Sequence, residues 1–318
     1  MLRAALWLLL AAGLILLPHG LSFSQQEILV LLTFDILLVA SYRLLTLTGE
    51  WSLGHAVSMG VGAYASALFA KHFGLFVPLS MLLGALAAAL VAAVLSIPLF
   101  RMKGFYFLIG SFAAGEIIRL LWKRFRDPFG GPKGIKSIDP MPDFSIGFYD
   151  FDFFEPVSYY YFSAIVVALS LWALWRIERS LVGLTFHAVH WQDTLAQSAG
   201  VDVRSYRTQA FVIASGFAGL AGALLAHYIG TVNPGSFDIE VMVYVLTWAI
   251  VGGTTTFYGP ILGCVALTIL NEVVLRDLGF EQARPMIYGL LLILSVLFLP
   301  GGLESLVPKL AFWRRAPA

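Results

Sequence analysis

Residues 52–70 read "SLGHAVSMGVGAYASALFA". The stretch is long enough to cross a bilayer as one helix, which takes ~20 predominantly apolar residues. Its side chains are small, however, and His55 stands near its start. Gly54, Ser58, Gly62, Ser66 and Ala70 recur at every fourth position. On a helix that spacing draws one ridge of small side chains, drifting slowly around the axis. Lipid tails provide no hydrophobic force between helices, so close backbone approach through small faces supplies the contact instead. The run therefore predicts a membrane helix packed tightly against another, with Gly54, Gly62 and Ser66 as packing positions.

The rest of the chain agrees with a membrane protein. Of its 318 residues 59% are hydrophobic and 12% charged, and the mean hydropathy is +0.84. A soluble domain carries about 25% charged residues, and so few charges could not cover a water-exposed surface. The net charge of +1 offers no polybasic patch for nucleic acid. Cys264, the single cysteine, cannot form an internal disulfide.

Ten apolar segments are candidates to span, some of them short or broken: 4–18, 26–47, 51–72, 78–100, 105–122, 158–176, 207–228, 239–253, 257–275 and 283–300. The expected fold is an all-α polytopic membrane protein, one transmembrane domain over 1–318. Residues 4–18 could be a signal peptide. No small-x-small cleavage site follows them, so a retained first helix is expected. The joint "GGTTTFYGP" (252–260) has no charge and is expected to turn inside protein, out of lipid.

Two polar stretches interrupt the spans. Residues 123–157 mix both charge signs with Gly, Pro and aromatics. Residues 177–206 read as a helix–turn–helix excursion, with Asp193 and Thr194 as capping groups and Gly200 as the stop of its short helix. With the N-terminus inside, one set of ends collects Arg3, Arg101, Lys103, Arg176, Arg179, Arg204, Arg207, Lys309, Arg314 and Arg315. The other set has Lys71, Arg276 and Arg284, plus five cations in the 123–157 loop. The basic bias is clear once that loop is set aside. It places 177–206 and the tail 301–318 in the cytoplasm, and 123–157 outside.

A second small-residue helix follows the excursion. Ala214, Ala218, Gly222 and Ala226 form one row, and Ser215, Gly219 and Ala223 its neighbour. One such helix in each half hints at internal duplication, as in many transporters, although tight packing is common to polytopic proteins. Ionisable residues inside spans are costly and face protein or a water path. These are Asp35, Arg43, His55, Glu116, Arg119, His227 and Glu272. Glu116 and Arg119 are three apart and can pair on one face, as a structural pair or in a transport role. For His55 the expected part is a structural hydrogen bond, and a place beside a substrate path is the competing one. Nothing matches GxxxxGK[ST], CxxC or HExxH, so neither ATP hydrolysis nor metal binding is expected of this chain.

The opening run resembles the signature of the inner-membrane permease subunits of branched-chain amino acid ABC importers, the LivM-like branch. Further stretches agree in order: "FGGPKGI" (129–135), the 179–228 stretch as coupling loop and following helix, "VGGTTTFYGPILG" (251–263) and "IYGLLLILSVLFLPGGL" (287–303). The similarity covers about residues 27–306. The chain departs from the family just before the coupling helix, where "HAVHWQD" stands in place of a charged run.

The resemblance implies a non-enzymatic permease subunit in a bacterial inner membrane. Its partners would be a related second permease, two cytoplasmic ATP-binding subunits that consume the ATP, a periplasmic solute-binding protein and the lipid bilayer. The substrate would be a branched-chain or other hydrophobic amino acid, or a related small amide or carboxylate. Trp191, Asp193, Thr194, Gln197 and Gly200 would meet the ATPase, with His187 and His190 beside them. On polarity and size, His55, Ser58, Ser215, Gly219, Thr254 and Thr255 are expected to line the pathway, and Gly222 joins the packing set. The alternative class is an ion- or proton-coupled secondary transporter, with Glu116 or Asp35 as its coupling site.

Overall fold

The computed structural model describes residues 16–146, 149–275, 283–299 and 301–305. Ser22 opens the first long helix, α1 (Phe23–Thr46), with a capping box in which its N–H donates to Gln25 Oε1 at 3.1 Å. Helix α2 (His55–Phe73) holds the ridge described above. It stops at Gly74, whose φ of 58° turns its N–H back onto Phe69 O. Helices α3 (Val77–Leu99), α4 (Phe105–Arg124) and α5 (Pro156–Glu178) follow. Two short helices, α6 (Leu181–Trp191) and α7 (Asp193–Ser198), form the excursion. Helix α8 (Val203–Ile229) returns through the bundle and stops at Gly230, φ 71°. Helix α9 (Ile239–Gly252) turns into α10 (Gly259–Ile269), which continues as a π turn over Leu270–Leu275, and α11 (Arg284–Phe298) closes the set.

These elements coincide with nine of the ten expected spans among the described residues. The tenth, 4–18, lies almost wholly outside them, as do tail residues 306–318. Among the described residues, six segments are long and apolar enough to cross a membrane, including Phe23–Thr46 and Val203–Ile229.

Helix α8 lies at the centre, with α1, α2 and α3 against it. Helix α3 shows why. Leu79, Leu82, Leu86, Leu90, Val94 and Ile97 are exposed along one face, the pattern of a lipid-facing stripe. Ser80, Gly84, Ala88, Ala92 and Ser96 are buried at four-residue spacing on the opposite face. This is a third small-residue ridge, hidden in the sequence by the leucines and valines around it.

One end of the bundle gathers the long loop. Strand β1 (Ile135–Lys136) pairs antiparallel with β4 (Thr231–Val232), and β2 (Phe144–Ile146) with β3 (Tyr149–Phe151). Lys71 at the end of α2 donates to Lys136 O at 2.7 Å. The opposite end carries the excursion, the α3–α4 turn and the α9–α10 turn.

Candidate functional site

The two small-residue helices are each other's partner. A Cβ on Gly62 would overlap the backbone of Gly219, and one on Gly222 would overlap Met59 O. Ser58 Oγ donates to Ser215 Oγ at 3.2 Å. Ser58–Ser215, Gly62–Gly219 and Ser66–His227 rise together along both chains, so α2 and α8 run parallel. Helix α3 joins from the side, because a Cβ on Gly84 would stand 2.6 Å from Gly62 O. Gly219 faces Ala88 of α3. It is thus a packing position, whereas the sequence placed it among pathway residues. Gly54 packs elsewhere, against Ser111 O of α4.

Two buried histidines lock the seams. His227 Nδ1 lies 2.7 Å from Asp139 O, so Nδ1 carries the proton and Nε2 accepts. Nε2 takes its bond from Ser66 Oγ at 2.8 Å, with Ser80 Oγ at 3.3 Å. The triad ties α2, α3 and α8 to the long loop. Ser41 Oγ spends its proton on Leu38 O at 2.8 Å, so His55 Nε2 donates to Ser41 Oγ at 3.0 Å. His55 is fully buried, beside Tyr42 at 5.3 Å between ring centroids. It makes the structural bond expected of it, though to α1.

The excursion end is held by ions. Arg43, 1% exposed, grips Glu178 through Nε at 3.1 Å and Nη2 at 2.7 Å, while Nη1 donates to Thr254 O at 2.6 Å. This one side chain joins the ends of α1 and α5 to the α9–α10 turn. Arg207 of α8 reaches Glu50 in the α1–α2 loop at 3.2 Å and Asp193 of α7 at 3.0 Å. Lys103 meets Asp193 at 3.2 Å. Burial lifts the Glu50 carboxyl above its ordinary range, with Arg207 opposing the lift. Burial likewise holds the His187 imidazole below its ordinary range.

Several site expectations change here. Asp193 is no helix cap, since α7 starts after Gln192 without a side-chain cap, and its carboxylate serves Arg207 and Lys103 instead. Trp191, Thr194, Gln197 and Gly200 are exposed, and Gly200 takes the left-handed φ of 84° expected of a stop. His190 Nδ1 meets Thr46 O at 3.2 Å, inside this chain. The six pathway candidates do not form one lining. Ser58 and Ser215 meet, His55 packs toward α1, and Thr254 lies at the excursion end with Thr255. The α9–α10 turn is only half sheltered. Thr255 and Thr256 are exposed, and Glu304 clasps both through their N–H and hydroxyl groups.

Two clefts flank α4. One, about 330 Å³ of open space, is bordered by Ser58, Ser52 and Ser111 with Ala88, Ala92 and Phe211. The other, about 210 Å³ with the open solvent at its mouth, is bordered by Glu116 and Asp238 among apolar residues. Glu116 and Arg119 pair as the sequence predicts, through two bonds at 2.8 and 2.5 Å.

Residues 25–296 match the family model described as branched-chain amino acid transport system, permease component. The chain belongs to that permease family. Two relatives are the high-affinity branched-chain amino acid transport system permease proteins LivM of Escherichia coli K12, 29% identical, and of Salmonella typhimurium, 30% identical. Each alignment covers 81% of this chain and 64% of the relative, so the permease spans about two thirds of their length. The autoinducer 2 import system permease protein LsrC of an Enterobacter species is 28% identical over 91% of this chain and 80% of its own length. No solved structure matches the chain. The arginine hub at Arg43 and the Glu50–Arg207 link were missed by sequence reasoning. Arg43 was visible as a charge within a span, but no local signal names a partner 135 residues away.

Proposed function

We propose that this chain is a membrane-spanning subunit of an ATP-driven importer in a bacterial inner membrane. It works with a related permease, two cytoplasmic ATP-binding subunits and a solute-binding protein outside. Its substrates are branched-chain or other hydrophobic amino acids. A related small amide or carboxylate solute fits the same architecture. The chain itself carries out no ATP hydrolysis and binds no cofactor. The excursion end faces the cytoplasm and the long loop faces outward.

The observation that carries this reading is the excursion. Leu181 and Trp191 are each 82% exposed, and Leu195 is 64% exposed. These apolar side chains stand beyond the bundle on helices tied to it by Asp193–Arg207. An exposed apolar patch at such a place fits a partner's groove. Thr194, Gln197 and Gly200 share the exposed side of this element, and the Asp193 link passes its movement to α8 and the α1–α2 loop.

The test is co-purification of the chain with its ATP-binding subunit. Trp191→Ala with Leu195→Ala is expected to leave folding intact and to lower recovery of the ATPase at least tenfold. Undiminished recovery would show that the ATPase docks elsewhere.

A further inference from the structure

We propose that the cleft beside Glu116 is a subsite for a zwitterionic, aliphatic amino acid on its way across the membrane. The inference rests on the amino acid permease reading above and adds the place and chemistry of contact.

Glu116 is the twelfth residue of α4 (Phe105–Arg124). At 1.5 Å per residue it lies roughly 17 Å from the helix start, near the bilayer midplane. There it is not sealed in protein, for its side chain is 28% exposed and that of Arg119 is 16% exposed. An ion pair facing hydrocarbon at that depth is strongly disfavoured. This face of α4 therefore borders a polar space.

The groups that line the cleft have the chemistry an amino acid would meet. Leu53, Val57, Phe112, Phe237 and Ile239 supply apolar walls. Glu116 and Asp238 bring two carboxylates to its edge. Arg119 lies in electrostatic range of Asp238, and Lys123 in range of Glu116. Two anions and two cations leave the site neutral overall but strongly dipolar. A zwitterion matches that field better than a net anion or cation does. Arg119 pairs through Nε and Nη2, which leaves Nη1 outside the pair for a substrate carboxylate. Glu116 and Asp238 receive the ammonium, and the aliphatic side chain enters the apolar walls.

Helix α9 contributes the depth. Its 14 residues and the 3₁₀ turn Pro234–Phe237 before them form one apolar segment, Pro234–Gly252. Asp238, which caps the helix by accepting from Glu240 N–H at 3.0 Å, thus lies inside that segment and not at its end. A span interrupted beside a cleft is where transporters place polar groups for substrate.

The test uses the full transporter assembly in proteoliposomes, with Cys264→Ala as background, since the chain has one cysteine and it is buried. Phe112→Cys and, on another wall, Ile239→Cys are each treated with a charged, membrane-impermeant thiol reagent. Both are expected to react, with L-leucine slowing the reaction at least threefold and isoamylamine, which lacks the carboxylate, leaving it unchanged. Glu116→Gln and Arg119→Gln are each expected to cut leucine uptake at least tenfold while the ATPase still co-purifies. If the native assembly takes up no leucine, the amino acid reading itself fails. If it takes up leucine but neither cysteine reacts, or leucine gives no protection, the face is buried against a second permease or lipid, and the subsite is wrong.

Discussion

Gly62 of α2 and Gly219 of α8 meet backbone to backbone, with no room for a methyl group on Gly62. Each helix's small ridge exists to fit the other's. Gly62→Leu is accordingly expected to abolish assembly or transport. Gly62→Ala should cost about 1–3 kcal/mol, the usual penalty of overpacking. Thermal unfolding in detergent measures it. Gly289→Ala is the control, because nothing lies within 4 Å of a Cβ at that position. A Gly62→Ala protein as stable as the control would refute close packing at this seam.

Arg207 and Glu50 form a nearly buried pair, 8% and 1% exposed. Removing only Arg207 strands a carboxylate in the interior, at a cost of about 3–5 kcal/mol. Arg207→Met should therefore unfold well below the native protein, and Arg207→Met with Glu50→Gln should recover part of the loss. Melting temperatures of the two single variants and the double variant decide it. Strictly additive effects would mean that the pair does not interact.

The Glu50 carboxyl also sets a pH response. It sits above its ordinary range, so the folded chain binds this proton more readily than the unfolded chain does. Stability attributable to Glu50 then rises as pH falls from the folded value toward the ordinary one. Arg207, Asp193 and Lys103 are the charged groups that face it. Relative to Glu50→Gln, the native protein should gain stability on mild acidification. A relative loss over that range would contradict the burial argument.

His227 holds the long loop through Asp139 O. His227→Phe keeps the packing volume but removes the bond. Limited proteolysis should then cut within 123–157 several times faster, while the helices persist. An unchanged cleavage rate would place the loop's anchorage in the β1–β4 pairing instead.

Much of this was legible in the sequence, because membrane spans are written locally. The segment expected at 78–100 is Val77–Leu99, and that expected at 239–253 is Ile239–Gly252. Hydrocarbon demands continuous apolar helices, so their limits show in hydropathy. Four-residue spacing disclosed both ridges but not that they face each other, which is a contact between residues 157 apart. The local pair Glu116–Arg119 was readable for the same reason that Arg43–Glu178 was not. Asp193 misled because a carboxylate at a helix start looks like a cap, and only the fold brings Arg207 close enough to claim it.

The central claim is that this permease moves solute at the expense of ATP hydrolysed by its partners. It is tested by leucine uptake into proteoliposomes that hold the whole assembly. The expected result is uptake that requires ATP inside, ceases without the ATP-binding subunits, and persists when a protonophore removes the proton gradient. Uptake that survives without ATP and collapses with the protonophore would contradict the account and support a proton-coupled transporter.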